Sequence, residues 1–300
     1  MSLNIKYGVS TWLWTSPFTT QSIPELFPKI SKMGFDVVEI AVEDPSLIDV
    51  KKVRSALDDH GLKATICGAF GSSRDLTNES KLVQQNGLSY IEACLDICAE
   101  LGVDFFGGPM YSAVGKARML KPSERKAEWD LAVKNLQLVC EIAAARNLRI
   151  ALEPLNRFES DLVNTTDDVL RMLNDINHPA ACMMLDSFHM SIEERDVESA
   201  IVSAGDKLIH LQVSENYRGT PGSGQTPWQA YKKGLEKIGY DGIVTIESFT
   251  TDNVELAGAV CFWTPKAVSQ DAFAMDGLHF LKKWANEKTY TSTANLKSTL

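Results

Sequence analysis

The chain is short of positive charge: 30 Lys and Arg stand against 39 Asp and Glu, a formal net charge of −9 over 300 residues. It therefore lacks the clustered cations that a nucleic-acid or anionic-membrane surface needs. No apolar run approaches the roughly 20 residues of a membrane span. The opening MSLNIKYGVSTWLW has no basic segment followed by an apolar one, so no signal peptide is expected. Histidine is scarce, with five in all (His60, His178, His189, His210, His279), too few for a multi-zinc phosphodiesterase centre. Of the six cysteines, Cys67, Cys94, Cys98, Cys140, Cys182 and Cys261, most lie in apolar runs such as ATICGAF and AACMMLD. Cys94 and Cys98 share a helix face, but no second Cys/His pair lies nearby at zinc-site spacing, so all six are expected to act as small hydrophobes. No Gly-x-Gly-x-x-Gly follows the first strand, which removes the dinucleotide signature. These absences leave a soluble, cytoplasmic protein with a small polar ligand.

What the chain does have is alternation. Apolar runs at Lys6–Ser10, Val37–Ala41, Lys63–Gly68, Asp104–Gly108, Arg149–Glu153, Ala181–Asp186, Leu208–Val213 and Ile243–Glu247 read as strands. Helical patterns separate them, at Ile23–Met33, Val50–His60, Leu88–Leu101, Arg125–Arg146, Thr166–Ile176, Val197–Ala204 and Trp228–Ile238, with a last one at Asp271–Glu287. Three helices pass into strands through Gly34, Gly102 and Gly239, each suited to a left-handed residue after a helix. Continuous apolar strands alternating with helices call for a parallel sheet covered by helices. Eight such units predict an α/β protein with a single (β/α)8 TIM barrel over 1–300; the alternative is an open doubly wound sheet. Residues 288–300 are polar and predict a loosely held tail.

In such barrels the chemistry sits at the C-terminal ends of the strands. Strands five to eight end in Glu153, Asp186, Gln212 and Glu247. Brought together by closure, three carboxylates cannot all stay ionised without a cation. Three carboxylates and an amide carbonyl make an all-oxygen site suited to Mg²⁺ or Mn²⁺ rather than zinc. The other reading pairs the acids with arginine, Arg157 or Arg218.

The stretches LEPLNRFESDLVNT (152–165), MLDSFHM (184–190), HLQVSENYRG (210–219) and VTIESF (244–249), with GGPMYSAVG (107–115), resemble the D-tagatose 3-epimerase/D-psicose 3-epimerase group of the xylose-isomerase-like TIM-barrel sugar isomerases. The likeness runs from GVSTW to about Phe249. It implies an enzyme holding Mn²⁺, Co²⁺ or Mg²⁺ through two Glu, an Asp and a His, with the two Glu also moving protons. Glu153 and Glu247 fall on the glutamates and Asp186 on the aspartate. His189 and Arg218 fall on substrate-binding residues, and Glu159 on the Glu that supports substrate hydroxyls. The departure is the fourth ligand: the family's His falls on Gln212. Hydroxypyruvate-isomerase-like relatives use Gln there, so Gln212 is the expected ligand. His210, two residues earlier on the same face, is expected one layer deeper as a core histidine.

The implied reaction is sugar epimerisation, in the first instance ketose 3-epimerisation, by proton transfer through an enediolate. One carboxylate takes the proton beside the carbonyl and another returns it from the opposite face. The same residues also suit aldose–ketose or hydroxypyruvate-type isomerisation. Trp12, Trp14 and Tyr111, after strands one and four, either stack on a sugar or pack in the core. RGTPGSGQTPW, after strand seven, either offers backbone N–H groups to a phosphorylated sugar or is an ordinary Gly/Pro loop. The long stretch 251–273 is read as a lid or a subunit contact, and the likeness implies a homodimer or homotetramer.

Overall fold

Eight short runs are mostly apolar, and side chains buried on both faces favour parallel strands. In the computed structural model, which describes residues 3–287, these become β1 (Lys6–Ser10), β2 (Val37–Val42), β3 (Lys63–Gly68), β4 (Phe105–Gly108), β5 (Arg149–Leu152), β6 (Ala181–Asp186), β7 (Leu208–Val213) and β8 (Ile243–Ile246). They form a closed barrel in sequence order. Closure is made by β8 pairing parallel to β1, Lys6 opposite Ile243 and Val9 opposite Ile246. The tail expected at 288–300 lies outside the described residues.

The helices are α1 (Ile23–Met33), α2 (Val50–His60), α3 (Lys81–Leu101), α4 (Pro122–Ala144), α5 (Thr166–Ile176), α6 (Ser187–Glu193), α7 (Val197–Ala204), α8 (Trp228–Ile238), α9 (Val254–Ala259) and α10 (Gln270–Asn286). In α1 the buried residues Ile23, Leu26, Phe27 and Ile30 form one stripe facing the barrel wall. Each such side chain contributes roughly 1.5–3 kcal/mol on burial. The start of α5 is set by a capping box: the Thr165 hydroxyl accepts from the Asp168 N–H, and Asp168 reaches back to the Thr165 N–H. Gly34, Gly102 and Gly239 take φ of 88°, 70° and 64°, ending their helices. Among the described residues no helix is long and apolar enough to cross a membrane.

Four features depart from the sequence expectation. α3 begins at Lys81 and runs straight through Asn86-Gly87, a pair with turn character. A Cβ at Gly87 would lie 2.8 Å from the Arg74 carbonyl oxygen, so glycine there serves close packing against residues 74–76. α6 and α9 are short helices that the alternation did not predict. β5 and β8 stop one residue early, leaving Glu153 and Glu247 just past the regular ladder. Cys261 is exposed, whereas the other five cysteines are buried. Between β6 and β7 the register shifts at Met183/Met184, which leaves Ile209 as an extra residue and sets Asp186 opposite Gln212.

Candidate active site

The acids that end strands five to eight are buried at one mouth of the barrel. The Glu153 N–H still donates to the Gly108 carbonyl (3.3 Å) and the Glu247 N–H to the Val213 carbonyl (3.1 Å). Both side chains are thus rooted by the sheet although neither residue belongs to a strand. Asp186 closes β6 and caps α6, accepting from the Phe188 N–H at 2.7 Å. That short helix carries His189 back over the mouth, and ligand atoms of Glu153, Asp186 and His189 lie within 4.8 Å of one another.

Arg218 completes the cluster. It adopts φ 61°, left-handed for a non-glycine residue, in a turn that its own N–H closes on the Glu215 carbonyl. Such a conformation costs of order 1 kcal/mol and is retained where surroundings hold it. Its Nη1 donates to Asp186 and, at 2.9 Å, to Glu247, between the rings of Phe188 and Phe249. The arginine-paired reading of the acids is therefore correct in part. Arg157 takes no share in it: it is paired with Glu193 at 2.9 Å on the surface, and Glu159 instead accepts from the Asn156 side chain at 2.7 Å.

One guanidinium does not neutralise this site. Burial, then the neighbouring Asp186, pushes the Glu153 carboxyl well above the ordinary range. Glu247 is likewise pushed up by burial, which outweighs the help it receives from Arg218. Asp186 goes the other way: burial opposes its charge, but Arg218 above all, with the Phe188 N–H, holds it low. His189 is neutral in this setting, since burial pushes its pKa down. Its Nδ1 accepts the Asn156 backbone N–H at 3.1 Å, while Nε2 faces the Arg218 guanidinium at 3.3 Å and Glu153 Oε1 at 3.7 Å.

Oxygen donors for a divalent cation are present: possible ligand atoms of Glu153, Asp186 and His189 form one close group and those of Glu39, Cys67 and Glu247 another, and Gln212 Oε1 is a buried acceptor without a partner among the described residues. His210 lies deeper, as its spacing predicts, with Nε2 2.6 Å from Glu39.

Glu39, in the middle of β2, was missed by reading strand ends alone. Its only signal is an acid interrupting an apolar run, Val-Val-Glu-Ile-Ala-Val, inside a buried strand. Glu215 was missed as well, and it bears on the phosphate question. Its carboxylate accepts from the N–H groups of Gly222 (2.7 Å) and Thr226 (2.9 Å) and from the Trp228 indole (2.8 Å). An internal anion thus already occupies donors of the glycine-rich loop, which removes the basis for a phosphate cradle there.

The aromatic candidates separate. Trp12 donates to Glu43 (3.1 Å) and packs on Phe249, beside Arg218. Trp14 is turned outward, its indole donating to Asp271 of α10 at 2.7 Å under the Lys29 ammonium. Tyr111 is fully buried in the core with its hydroxyl on the Val163 carbonyl at 3.2 Å. Neither Trp14 nor Tyr111 is brought into the acidic cluster by hydrogen bonding.

A closed parallel barrel with buried carboxylates, an arginine and a neutral histidine at the C-terminal ends of its strands defines a (β/α)8 enzyme site for a small polar molecule. Residues 27–284 match the family described as Xylose isomerase-like TIM barrel, and the chain belongs to it. It is 32% identical to a probable ketose 3-epimerase of Synechocystis over 94% of this chain and 97% of that one. It is 31% identical to a 3-dehydro-D-guloside 4-epimerase of Escherichia coli, over 77% and 88% of the two chains. Among solved structures, a D-allulose 3-epimerase from Methylomonas in complex with D-allulose superposes with a TM-score of 0.87, at 27% identity, covering 94% of this chain and 99% of that one.

Proposed function

We propose that this protein is a divalent-metal-dependent ketose 3-epimerase. The observation that carries the reading is the excess of buried carboxylates over cations at the barrel mouth, with a free amide oxygen beside them. Glu153, Asp186, Gln212 and Glu247 would hold the metal, and Mn²⁺ or Mg²⁺ suits oxygen donors best, with Co²⁺ a third option. When bound, the cation supplies Lewis acidity that polarises a substrate carbonyl and acidifies the adjacent C–H.

The protein's own residues do the rest. Glu153 and Glu247 enter from strands three apart around the ring, so a substrate carbon between them meets one carboxylate on each face. One takes the C3 proton and the C2–C3 enediolate forms; the other gives a proton to the opposite face, and C3 is inverted with no net gain or loss of protons. His189 and Arg218 stabilise the developing oxyanion. Glu159, joined to Asn156, and Trp12 at the rim contact the remaining hydroxyls.

A second reading has a specific support, the E. coli 4-epimerase relative. Inverting C4 beside a C3 carbonyl needs the same two carboxylates, so sugar identity decides between the two. Deuterium incorporation in D₂O tests both. Mn²⁺-loaded protein is incubated with ketoses and with 3-keto-glycosides, and NMR locates the label. Label at C3 of a ketose with an inverted product is expected. Label at C4 of a 3-keto sugar favours the second reading, and label at C1 or C2 with an aldose product makes the protein a ketol-isomerase. No label in the presence of bound Mn²⁺ overturns the proposal.

Six unpaired cysteines suit a reducing, cytoplasmic setting. A homodimer or homotetramer is part of the same proposal: Val254, Trp263 and Val268, after β8, expose apolar surface that a second subunit would cover. Light scattering in solution tests it, and a monomer at micromolar concentration contradicts it.

A further inference from the structure

We propose that Glu39 is a positioning residue that aims the Gln212 carbonyl at the cation, an inference that rests on the metal-dependent reading above. The Gln212 amide has a donor end and an acceptor end, and nothing in its own chemistry says which faces the mouth. Its neighbours decide. Nε2 lies 2.7 Å from Glu39 Oε1 and 2.8 Å from Glu247 Oε1. A carboxylate accepts at both oxygens, so turning the amide over would press its oxygen against Glu39 Oε1. The nitrogen is held on that side and Oε1 is released, buried and without a partner among the described residues.

Glu39 rather than Glu247 is the fixed member of this pair. Its Oε2 is already held by His210 Nε2 (2.6 Å) and the Thr65 hydroxyl (3.3 Å), which leaves Oε1 for Gln212. Glu39 is buried within β2, and its partners come from β3 and β7, so the barrel wall clamps it from two sides. Glu247 is held by Arg218 at its Oε2, but it would move protons and contact the metal. Gln212 therefore keeps its orientation through a cycle in which Glu247 changes partners. His210 in turn holds the group that aims the ligand, without touching the metal.

Mn²⁺ titration followed by electron paramagnetic resonance, which counts free ion without turnover, tests this. Glu39→Leu removes the acceptor and is expected to weaken Mn²⁺ binding about 10- to 100-fold, the usual effect of losing a residue that orients a ligand. Glu39→Gln keeps an oxygen that can accept from Gln212 and is expected to recover most of the loss. In a Gln212→Ala background, Glu39→Leu is expected to change nothing further, because the two act through one contact. Unchanged affinity in Glu39→Leu overturns the proposal, as does a Glu39→Gln protein as weak as Glu39→Leu, which would make the effect one of charge alone. A wild-type protein that takes up no Mn²⁺, or takes it up equally after Glu153→Gln and Asp186→Asn, overturns the metal reading instead. If the leucine variant does not fold, the wild-type Mn²⁺ complex decides by crystallography: an ion bound away from Gln212, or a Gln212 turned off Glu39, refutes the assignment.

Discussion

Glu153 illustrates how a residue can serve a site at the expense of the fold. Burial and Asp186 raise its pKa, so the ionised form destabilises the metal-free protein. Glu153→Gln is expected to slow turnover about 10²- to 10⁴-fold and to raise the melting temperature of metal-free protein. The sign of the pH dependence follows from linkage: with a folded pKa above the unfolded one, the unfolded chain loses its proton first. The destabilisation is absent below the ordinary carboxylate range and complete above the raised folded value, so the gain in Tm grows with pH. Calorimetry in chelator at about pH 5 and about pH 8 reads it; a variant less stable than wild type at the higher pH contradicts it. His189 offers a second residue-scale check. ¹⁵N NMR of the metal-free protein is expected to show one pyrrole-like and one pyridine-like ring nitrogen, because burial disfavours the charged ring; equal shifts of an imidazolium would refute the neutral form. At this scale sequence reading found the strand-end acids but not Glu39 or Glu215. An acid after an apolar run is conspicuous, whereas one inside a strand or a loop is defined only by what it meets.

Elements were most legible where a periodic pattern coincided with a local stop signal. α1, α2, α5, α7 and α8 fall where the apolar stripes and capping residues place them, because both signals are encoded within a dozen residues. α3 departs because Gly87 carries two meanings: it weakens a helix intrinsically, yet here it admits the backbone of residues 74–76. Gly87→Ala is expected to destabilise the protein by about 1–3 kcal/mol through overpacking, although alanine in an open helix would stabilise it by about 1 kcal/mol. Urea unfolding measures the difference, and a stabilised variant would show that the contact yields. α6 was hidden for a related reason. Its cap, Asp186, is also a site residue, and seven residues are too few to display a helical stripe.

For the whole molecule, the proposed cation would couple binding to folding stability. Mn²⁺ at about 100 times its dissociation constant is expected to add about 2.7 kcal/mol of stability. Because binding requires ionised Glu153 and Glu247, the gain is expected to increase with pH and to be accompanied by proton release. Differential scanning calorimetry with and without chelator reads the first, and titration in buffers of different ionisation enthalpy reads the second; a Tm indifferent to Mn²⁺ would contradict both.

By itself the sequence determined the number and order of the strands, the eight helices that alternate with them and the polar residues that end four of those strands, because periods of 2 and 3.6 are local properties of the chain. It did not determine which charges meet. Arg218 meets Asp186 and Glu247 once β6, β7 and β8 lie side by side, and Glu39 meets Gln212 across 173 residues of chain only once the eighth strand has paired with the first. Barrel closure decided those contacts because it fixes distances between strands that no local pattern relates.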